Sequence, residues 1–331
     1  MTADIRWGIV GPGRIAENLV KDFAVVDGAS PVAVASRSID RAQAFAARHQ
    51  IERAHGTYAD ILADPDVDVL YVATPHPQHH AIALAALRAG KALLIEKTFT
   101  ATTAGAEEIV DLAQKTGVFV MEAMWTRFQP AIVAVRDLIA DGAIGEVRSV
   151  QADLGVAKEY DAADRMFDLA LGGGALLDVG VYVASFAQML LGTPERVVAA
   201  GSMFPSGADA EASLLLDYGD GRTATLMASL RNYLPGHARV FGTTGWIDVL
   251  PRFHHPKTIV LHRGGAEPET ITRTPIGAGY AHELIEVNEC LRAGRSESAV
   301  MPLADTLAVQ RLLGDAAEQL GVRHAEAPAV L

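Results

Sequence analysis

The chain is expected to be an α/β protein, with an N-terminal doubly wound parallel sheet and a C-terminal α+β domain on an open, mainly antiparallel sheet. Three observations predict this. The first third alternates short β-rich runs with helical patterns, as βαβ units do. Beyond residue 123 that alternation stops, and several β-like segments follow in series. The length of 331 residues exceeds the size at which a single core stops growing. The expected domains are therefore 1–123 and 124–331.

Strands are expected at 5–10, 31–36, 67–73, 92–95 and 118–122, where β-branched and other apolar residues run together. Helical patterns lie between them at 15–23, 39–49, 77–89 and 104–115. Ser38 and Thr103 stand as N-caps, because a hydroxyl there accepts an orphan helix N–H. Gly90 and Gly117 fall where helices stop. Right-handed crossovers turn this order into a parallel sheet that binds ligands at its carboxyl ends. In the second domain, a helix at 131–140 and a strand at 146–154 precede a glycine-rich stretch and an apolar helix at 175–190. Strands follow at 196–203, 212–217, 223–230, 238–241, 246–249 and 258–262. Gly219-Asp220-Gly221 supplies turn chemistry for a hairpin. Helices at 281–291 and 303–320 close the chain. An open sheet leaves a broad face, and its expected cover is a second copy, a homodimer through the C-terminal sheet.

Composition narrows the function classes. A net charge of −12 argues against a nucleic-acid or anionic-membrane surface. The single cysteine, Cys290, excludes an intrachain disulfide and a thiolate metal cluster, and its helical setting reads as a buried inert thiol. The N-terminus is polar and enters the first strand directly, without a leader or membrane-spanning run, so a cytoplasmic protein is expected.

Gly11-Pro12-Gly13-Arg14-Ile15-Ala16 follows the first strand and opens a helix. Gly11 permits a tight turn, Gly13 lets backbone approach a pyrophosphate, and Ala16 keeps the helix near the sheet. With the N–H groups of Arg14 and Ile15 at the helix start, this is a dinucleotide site on a Rossmann sheet. After the second strand, where an acid would favour NAD, stand Ser36, Arg37 and Ser38, with Arg41 beyond. An arginine fork and hydroxyls complement a 2′-phosphate, so NADP(H) is preferred and NAD(H) is possible. Thr74-Pro75-His76-Pro77-Gln78-His79-His80 forms a rim over the cofactor, with His79 positioning the next helix. No metal is expected, since the histidine spacing lacks a third ligand.

Glu96 and Lys97 end the apolar run of the next strand. A lysine there is poorly explained by folding, because its charge resists burial. Together with the glycine turn, the Thr-Pro-His-x-x-His rim and the late segment Gly173-Gly174-Ala175-Leu176-Leu177-Asp178-Val179-Gly180, this order resembles the Gfo/Idh/MocA oxidoreductases over nearly the whole chain. Within that family, the 121–128 and 171–182 segments resemble the branch of dimeric trans-dihydrodiol dehydrogenases and NADP-dependent D-xylose 1-dehydrogenases. The resemblance implies that Lys97 lies at the nicotinamide and substrate, that Tyr182 donates or accepts the proton, and that Asp178 is the family's aspartate four residues earlier. Thr98 stands where the family has proline, and is expected to loosen the backbone that aims Lys97.

Oxidation of an alcohol sends a hydride to the nicotinamide and a proton to a base. Tyr182 is assigned as acid/base, Lys97 as hydrogen-bond donor and field source, and Asp178 as orienting carboxylate; the roles of Lys97 and Tyr182 are exchangeable. Trp125, Phe128, Phe167 and Tyr280 are candidate substrate walls, with Arg127 and Arg165 beside them. The expected substrate is a small sugar or cyclic vicinal diol, oxidised at a secondary hydroxyl or hemiacetal carbon. Two alternatives keep the fold: a redox-neutral glycosidase retaining NAD, and a non-catalytic cofactor sensor.

Overall fold

The computed structural model describes residues 4–328. In chain order the elements are β1 (Ile5–Val10), α1 (Arg14–Asp22), β2 (Ala29–Ala35), α2 (Ile39–His49), β3 (Arg53–His55), α3 (Tyr58–Ala63), β4 (Val69–Val72), α4 (His76–Arg88), β5 (Ala92–Glu96), α5 (Thr103–Thr116) and β6 (Val120–Ala123). There follow α6 (Pro130–Ala140), β7 (Val147–Gly155), a π-wound stretch Leu176–Gly180 and α7 (Val181–Leu191). The strands β8 (Arg196–Met203), β9 (Asp209–Asp217), β10 (Thr223–Ser229), β11 (Ala238–Gly242), β12 (Gly245–Val249), β13 (Thr258–Arg263) and β14 (Glu269–Thr272) come next. Two helices end the chain, α8 (Ala281–Arg292) and α9 (Leu303–Leu320).

The first compact unit holds residues 4–123, Ile276–Thr306 and 325–328. Its sheet runs β3-β2-β1-β4-β5-β6, all parallel. β4 and β5 are buried along their whole length, as strands covered on both faces must be. β3 and α3 add to the expected pattern, and the cap of α5 is Thr102 rather than Thr103. Thr102 wins that role because the Glu326 carboxylate accepts both its N–H and its hydroxyl, each at 2.8 Å.

The unit also recovers α8, which the sequence assigned to the second domain. Trp7 on β1 is fully buried, meets Phe23 edge-on, and donates its indole N–H to Asn288 on α8. Asp22, at the end of α1, accepts the N–H groups of Ala278 and Ala281 and so caps the start of α8. Cys290 on the same helix is buried, and burial beside Glu286 pushes its thiol up to about 12, leaving it inert.

The second unit holds Met124–Pro275 and Leu307–His324. Its eight strands run β14-β13-β12-β11-β7-β10-β9-β8 and pair antiparallel, except that β10 lies parallel to β7. The expected hairpin joins β9 to β10, with Gly219 and Gly221 at positive φ. Leu169–Leu191 is apolar enough to resemble a membrane span but is mostly buried within the protein. Its helix α7 packs on β7 and β10, which accounts for apolar residues all around it. Val198, Leu215 and Trp246, on β8, β9 and β12, remain exposed.

Glu283, in the first turn of α8, is fully buried, and neither of its carboxyl oxygens has a hydrogen-bond partner among the described residues. Burial, and then the nearby Glu96 and Glu122, hold its acid proton well above the ordinary carboxyl range. Below that range folded and unfolded chains both carry the proton. As pH rises past 4.5 the unfolded chain releases it and the folded chain keeps it, so stability falls. The slope is at most about 1.4 kcal/mol per pH unit. In Glu283→Gln, the urea-unfolding free energy should therefore decline less steeply as pH rises past 4.5 than in the unaltered chain. Parallel curves for the two proteins would contradict a neutral Glu283.

Candidate active site

In the first unit, three adjacent strands of the sheet, β1, β4 and β5, deliver their carboxyl ends to the candidate cofactor cradle. Gly11 turns the chain with φ +92°, and a Cβ there would sit 3.0 Å from the Ala73 carbonyl and from Thr74. Gly13 donates its N–H to the Gly11 carbonyl at 2.8 Å, then α1 begins. A Cβ on Gly13 would meet nothing within 4 Å. The outer side of this turn is thus open above a helix N-terminus, which fits a dinucleotide pyrophosphate. Arg14 is exposed, Ile15 half-buried and Ala16 fully buried.

Beyond β2, the Ser36 hydroxyl accepts the Ser38 N–H and Ser38 caps α2 by accepting the Arg41 N–H. Arg37 and Arg41 are exposed. Both carry their charge to Tyr58, whose hydroxyl is hydrogen-bonded to Arg37. Tyr58 escaped the sequence reading; the Thr57 cap before it was the available signal.

The rim after β4 and the turn after β5 are tied together. His79 is fully buried. Its Nε2 lies 2.7 Å from the Thr74 carbonyl, and its Nδ1 lies 3.1 and 3.2 Å from those of Thr98 and Phe99. Burial lowers this imidazole to about 4, so it is neutral near pH 7. Whichever nitrogen carries the hydrogen, it donates to a main-chain carbonyl. His76 is buried with its ring 5.9 Å from that of His79, and Pro75 begins α4.

Lys97 is half-buried. Its N–H donates to Glu96 Oε2 at 3.2 Å, while the buried Tyr71 hydroxyl donates to Glu96 Oε1. Burial raises the Glu96 carboxyl, and the Tyr71 hydrogen bond and the Lys97 charge pull it back. The Phe99 N–H donates to Glu122 Oε1 at 3.1 Å. Thr98 is fully buried and follows a cis peptide bond. Side chains from three elements hold the main chain from 97 to 99.

The second unit carries Asp178 and Tyr182, but not on one regular α-helix. Asp178 lies in the π-wound stretch, and α winding starts at Val181. The Arg165 guanidinium engages both Asp178 oxygens, at 2.7 and 3.4 Å. The start of this stretch is fixed by fully buried Asp209, whose Oδ2 accepts the Leu176 N–H at 2.6 Å. Two of the glycines before it are held close to their neighbours. A Cβ on Gly173 would press on the Arg165 carbonyl at 2.6 Å, and one on Gly174 would reach Asp209 Oδ1 at 2.1 Å.

The Tyr182 ring lies 5.0 Å from that of His254, and Trp125 packs 5.0 Å from His255. Sequence reasoning missed both histidines, which sit between β12 and β13 far from any motif. Four of the six candidate substrate residues are buried. Arg127 is 2% exposed, and its guanidinium is bound to Ser185 and Gln188 of α7, so it is part of the core. Phe167 is fully buried against Tyr160 and Phe204. Tyr280 belongs to the first unit, buried at the start of α8 and hydrogen-bonded to Asn18. Phe128 is also buried, whereas Trp125 and Arg165 are half-buried.

Residues 5–124 match the oxidoreductase family with an NAD-binding Rossmann fold, and residues 132–248 match the GFO/IDH/MocA C-terminal domain. The chain is 36% identical over 329 residues to a trans-1,2-dihydrobenzene-1,2-diol dehydrogenase of Xenopus tropicalis, covering 96% of this chain and 99% of the relative. An aldose-aldose oxidoreductase from Caulobacter crescentus, solved with glycerol, is similar with a TM-score of 0.87 at 26% identity, over 96% of this chain and 98% of that one. A 3-ketoreductase from Actinomadura kijaniata, solved with NADP and TDP-benzene, gives a TM-score of 0.83 at 27% identity, over 98% and 100% of the two chains.

The Gly174–Asp209 contact is open to a direct test. Gly174 has φ +130°, so Gly174→Ala combines a disfavoured backbone with a clash against a buried carboxylate. It should destabilise the protein by about 3 kcal/mol. A urea-unfolding midpoint equal to that of the unaltered chain would show that the Asp209 anchor does not fix this loop.

Proposed function

The chain belongs to the Gfo/Idh/MocA oxidoreductases, and on that premise we propose that it is an NADP(H)-dependent dehydrogenase or reductase. Its substrate is a sugar or cyclic vicinal diol, reacting at a secondary hydroxyl or hemiacetal carbon. One observation carries the reading: Lys97 directly follows β5 at the carboxyl edge of the sheet in which β1 runs into the Gly11–Gly13 turn. The full-length likeness to diol dehydrogenases supports the substrate class.

In this reading Gly11, Gly13, Arg14 and Ile15 hold the pyrophosphate of the nicotinamide cofactor, and Ser36, Arg37, Ser38 and Arg41 hold the adenosine end. Thr74, Pro75, His76 and His79 form the rim, with Glu96 beneath Lys97. When bound, the cofactor accepts or returns the hydride. Tyr182 Oη exchanges the proton of the substrate hydroxyl, and Lys97 Nζ donates a hydrogen bond to the reacting oxygen and stabilises its negative charge. Asp178, fixed by Arg165, orients the substrate, and Trp125 offers it an aromatic wall. The 2′-phosphate preference rests on Arg37 and Arg41, both exposed beside Tyr58. The exposed Val198, Leu215 and Trp246 on the second unit's sheet support a homodimer through that face.

The test is turnover of aldoses, inositols and cyclic diols with NADP+ and NAD+, followed by nicotinamide absorbance. NADP+ should be preferred, and Arg37→Ala should raise its KM by about tenfold with little effect on NAD+. Turnover with NAD+ alone would contradict the role of Arg37. Lys97→Ala and Tyr182→Phe should each lower kcat by about a hundredfold or more. Unchanged kcat in both would remove the proposed mechanism.

A further inference from the structure

Glu96 has two neighbours with different consequences. One oxygen accepts the N–H of Lys97, so the carboxylate helps fix where the lysine leaves the main chain. The other accepts the hydroxyl of Tyr71, a fully buried side chain on the adjacent strand β4. The parallel register pairs Tyr71 with Leu94, two residues before Glu96. Successive side chains alternate across a strand, so residues 94 and 96 share a face with Tyr71, and the contact follows from the pleat.

We propose that Tyr71 is a positioning residue for the reaction, acting through the Glu96 carboxylate on Lys97. The proposal rests on the reading of Lys97 given above. A carboxylate free to rotate in a buried site would leave the Lys97 N–H without a fixed acceptor. The Tyr71 hydroxyl removes that freedom, since it is a donor aimed at one oxygen from a rigid strand. A phenylalanine would fill the same space but would leave Glu96 Oε1 without this donor. The titratable groups facing Glu96 are Tyr71 on β4, Lys97 at the end of β5, and Glu283 and Tyr280 of the α8 segment, with Glu122 on β6 beside Glu283. Burial and the Glu96 charge hold the Tyr71 phenol well above its ordinary range, so it stays the donor at neutral pH.

The test is a double-mutant cycle on the full-length protein with NADP+ and whichever polyol it oxidises. Tyr71→Phe should lower kcat by about tenfold while KM for the polyol changes by less than about twofold. It should also move the acidic limb of the kcat–pH profile upward, because Glu96 without its donor takes a proton more readily. The amide of Glu96→Gln has a single acceptor oxygen and cannot accept from both Tyr71 and Lys97. Glu96→Gln alone should therefore reproduce the kcat loss, and adding Tyr71→Phe to it should cost less than about another twofold. Equal losses from Tyr71→Phe in the two backgrounds would overturn the proposal. So would wild-type kcat in Glu96→Ala, which leaves neither Tyr71 nor the Lys97 N–H a side-chain partner at this point, a result that holds even where Tyr71→Phe fails to fold. If the unaltered protein oxidises no polyol, the site reading fails by itself. The same cycle is then read on the NADP+ dissociation constant, by tryptophan fluorescence: coupled effects support the positioning role and additive ones end it.

Discussion

The first unit depends on how the main chain is held where β5 ends. Inside a sheet, each N–H and C=O is satisfied by its neighbours. At residues 97–99 the ladder has finished while Thr98 and Phe99 are still fully buried. An unsatisfied buried group there would cost about 1–3 kcal/mol. Three side chains take over the work of the ladder: Glu96 accepts the Lys97 N–H, His79 meets the Thr98 and Phe99 carbonyls, and Glu122 accepts the Phe99 N–H. Each comes from a different element, so the turn is defined only when α4, β5 and β6 are all in place. The position of the lysine is a property of the assembled sheet.

That solution places carboxyl groups inside an apolar layer, where ionised acids are disfavoured. The unit meets this in two ways. Glu96 and Glu122 receive hydrogen bonds from fixed donors, which stabilise charge at the point of use. Glu283 receives none and keeps its proton. With the proton held on Glu283, no third negative charge stands beside Glu96 and Glu122. The imidazole of His79 follows the same logic with the opposite sign: burial first, and the Lys97 charge with it, keep it neutral against the carbonyls around it, which favour the proton.

Much of this organisation is legible in the sequence, for identifiable reasons. Apolar runs bounded by glycine and hydroxyl residues mark β1, β4, β5 and their helices, because a strand buried on both faces has no other composition open to it. Gly11 is legible because its positive φ and the close approach of Ala73 exclude any side chain. β3 was missed since its three residues are half-buried and carry no apolar run. The return of α8 to the first unit was hidden for a different reason. Trp7–Asn288 and Asp22–Ala281 join residues more than two hundred positions apart, and neither partner looks unusual in its local setting. Arg127 misled because an arginine beside aromatic residues suggests a ligand. Its true partners, Ser185 and Gln188, lie one helical turn apart on α7 and become visible only when that helix packs.

The two units arrive at the same structural device from different elements. In the first, the candidate side chain leaves from a strand end; in the second, Asp178 leaves from a π-wound turn. Both are interruptions of regular hydrogen bonding, and both are repaired by buried acids: Glu96 and Glu122 in one, Asp209 in the other. Regular structure satisfies its own backbone and needs no such help. An irregular segment can present a reactive side chain at an angle that a strand or helix does not offer, but only if polar side chains replace the missing backbone partners. Glu96, Glu122 and Asp209 thus stand where the backbone leaves regular hydrogen bonding, beside Lys97 in one unit and beside the turn that carries Asp178 in the other.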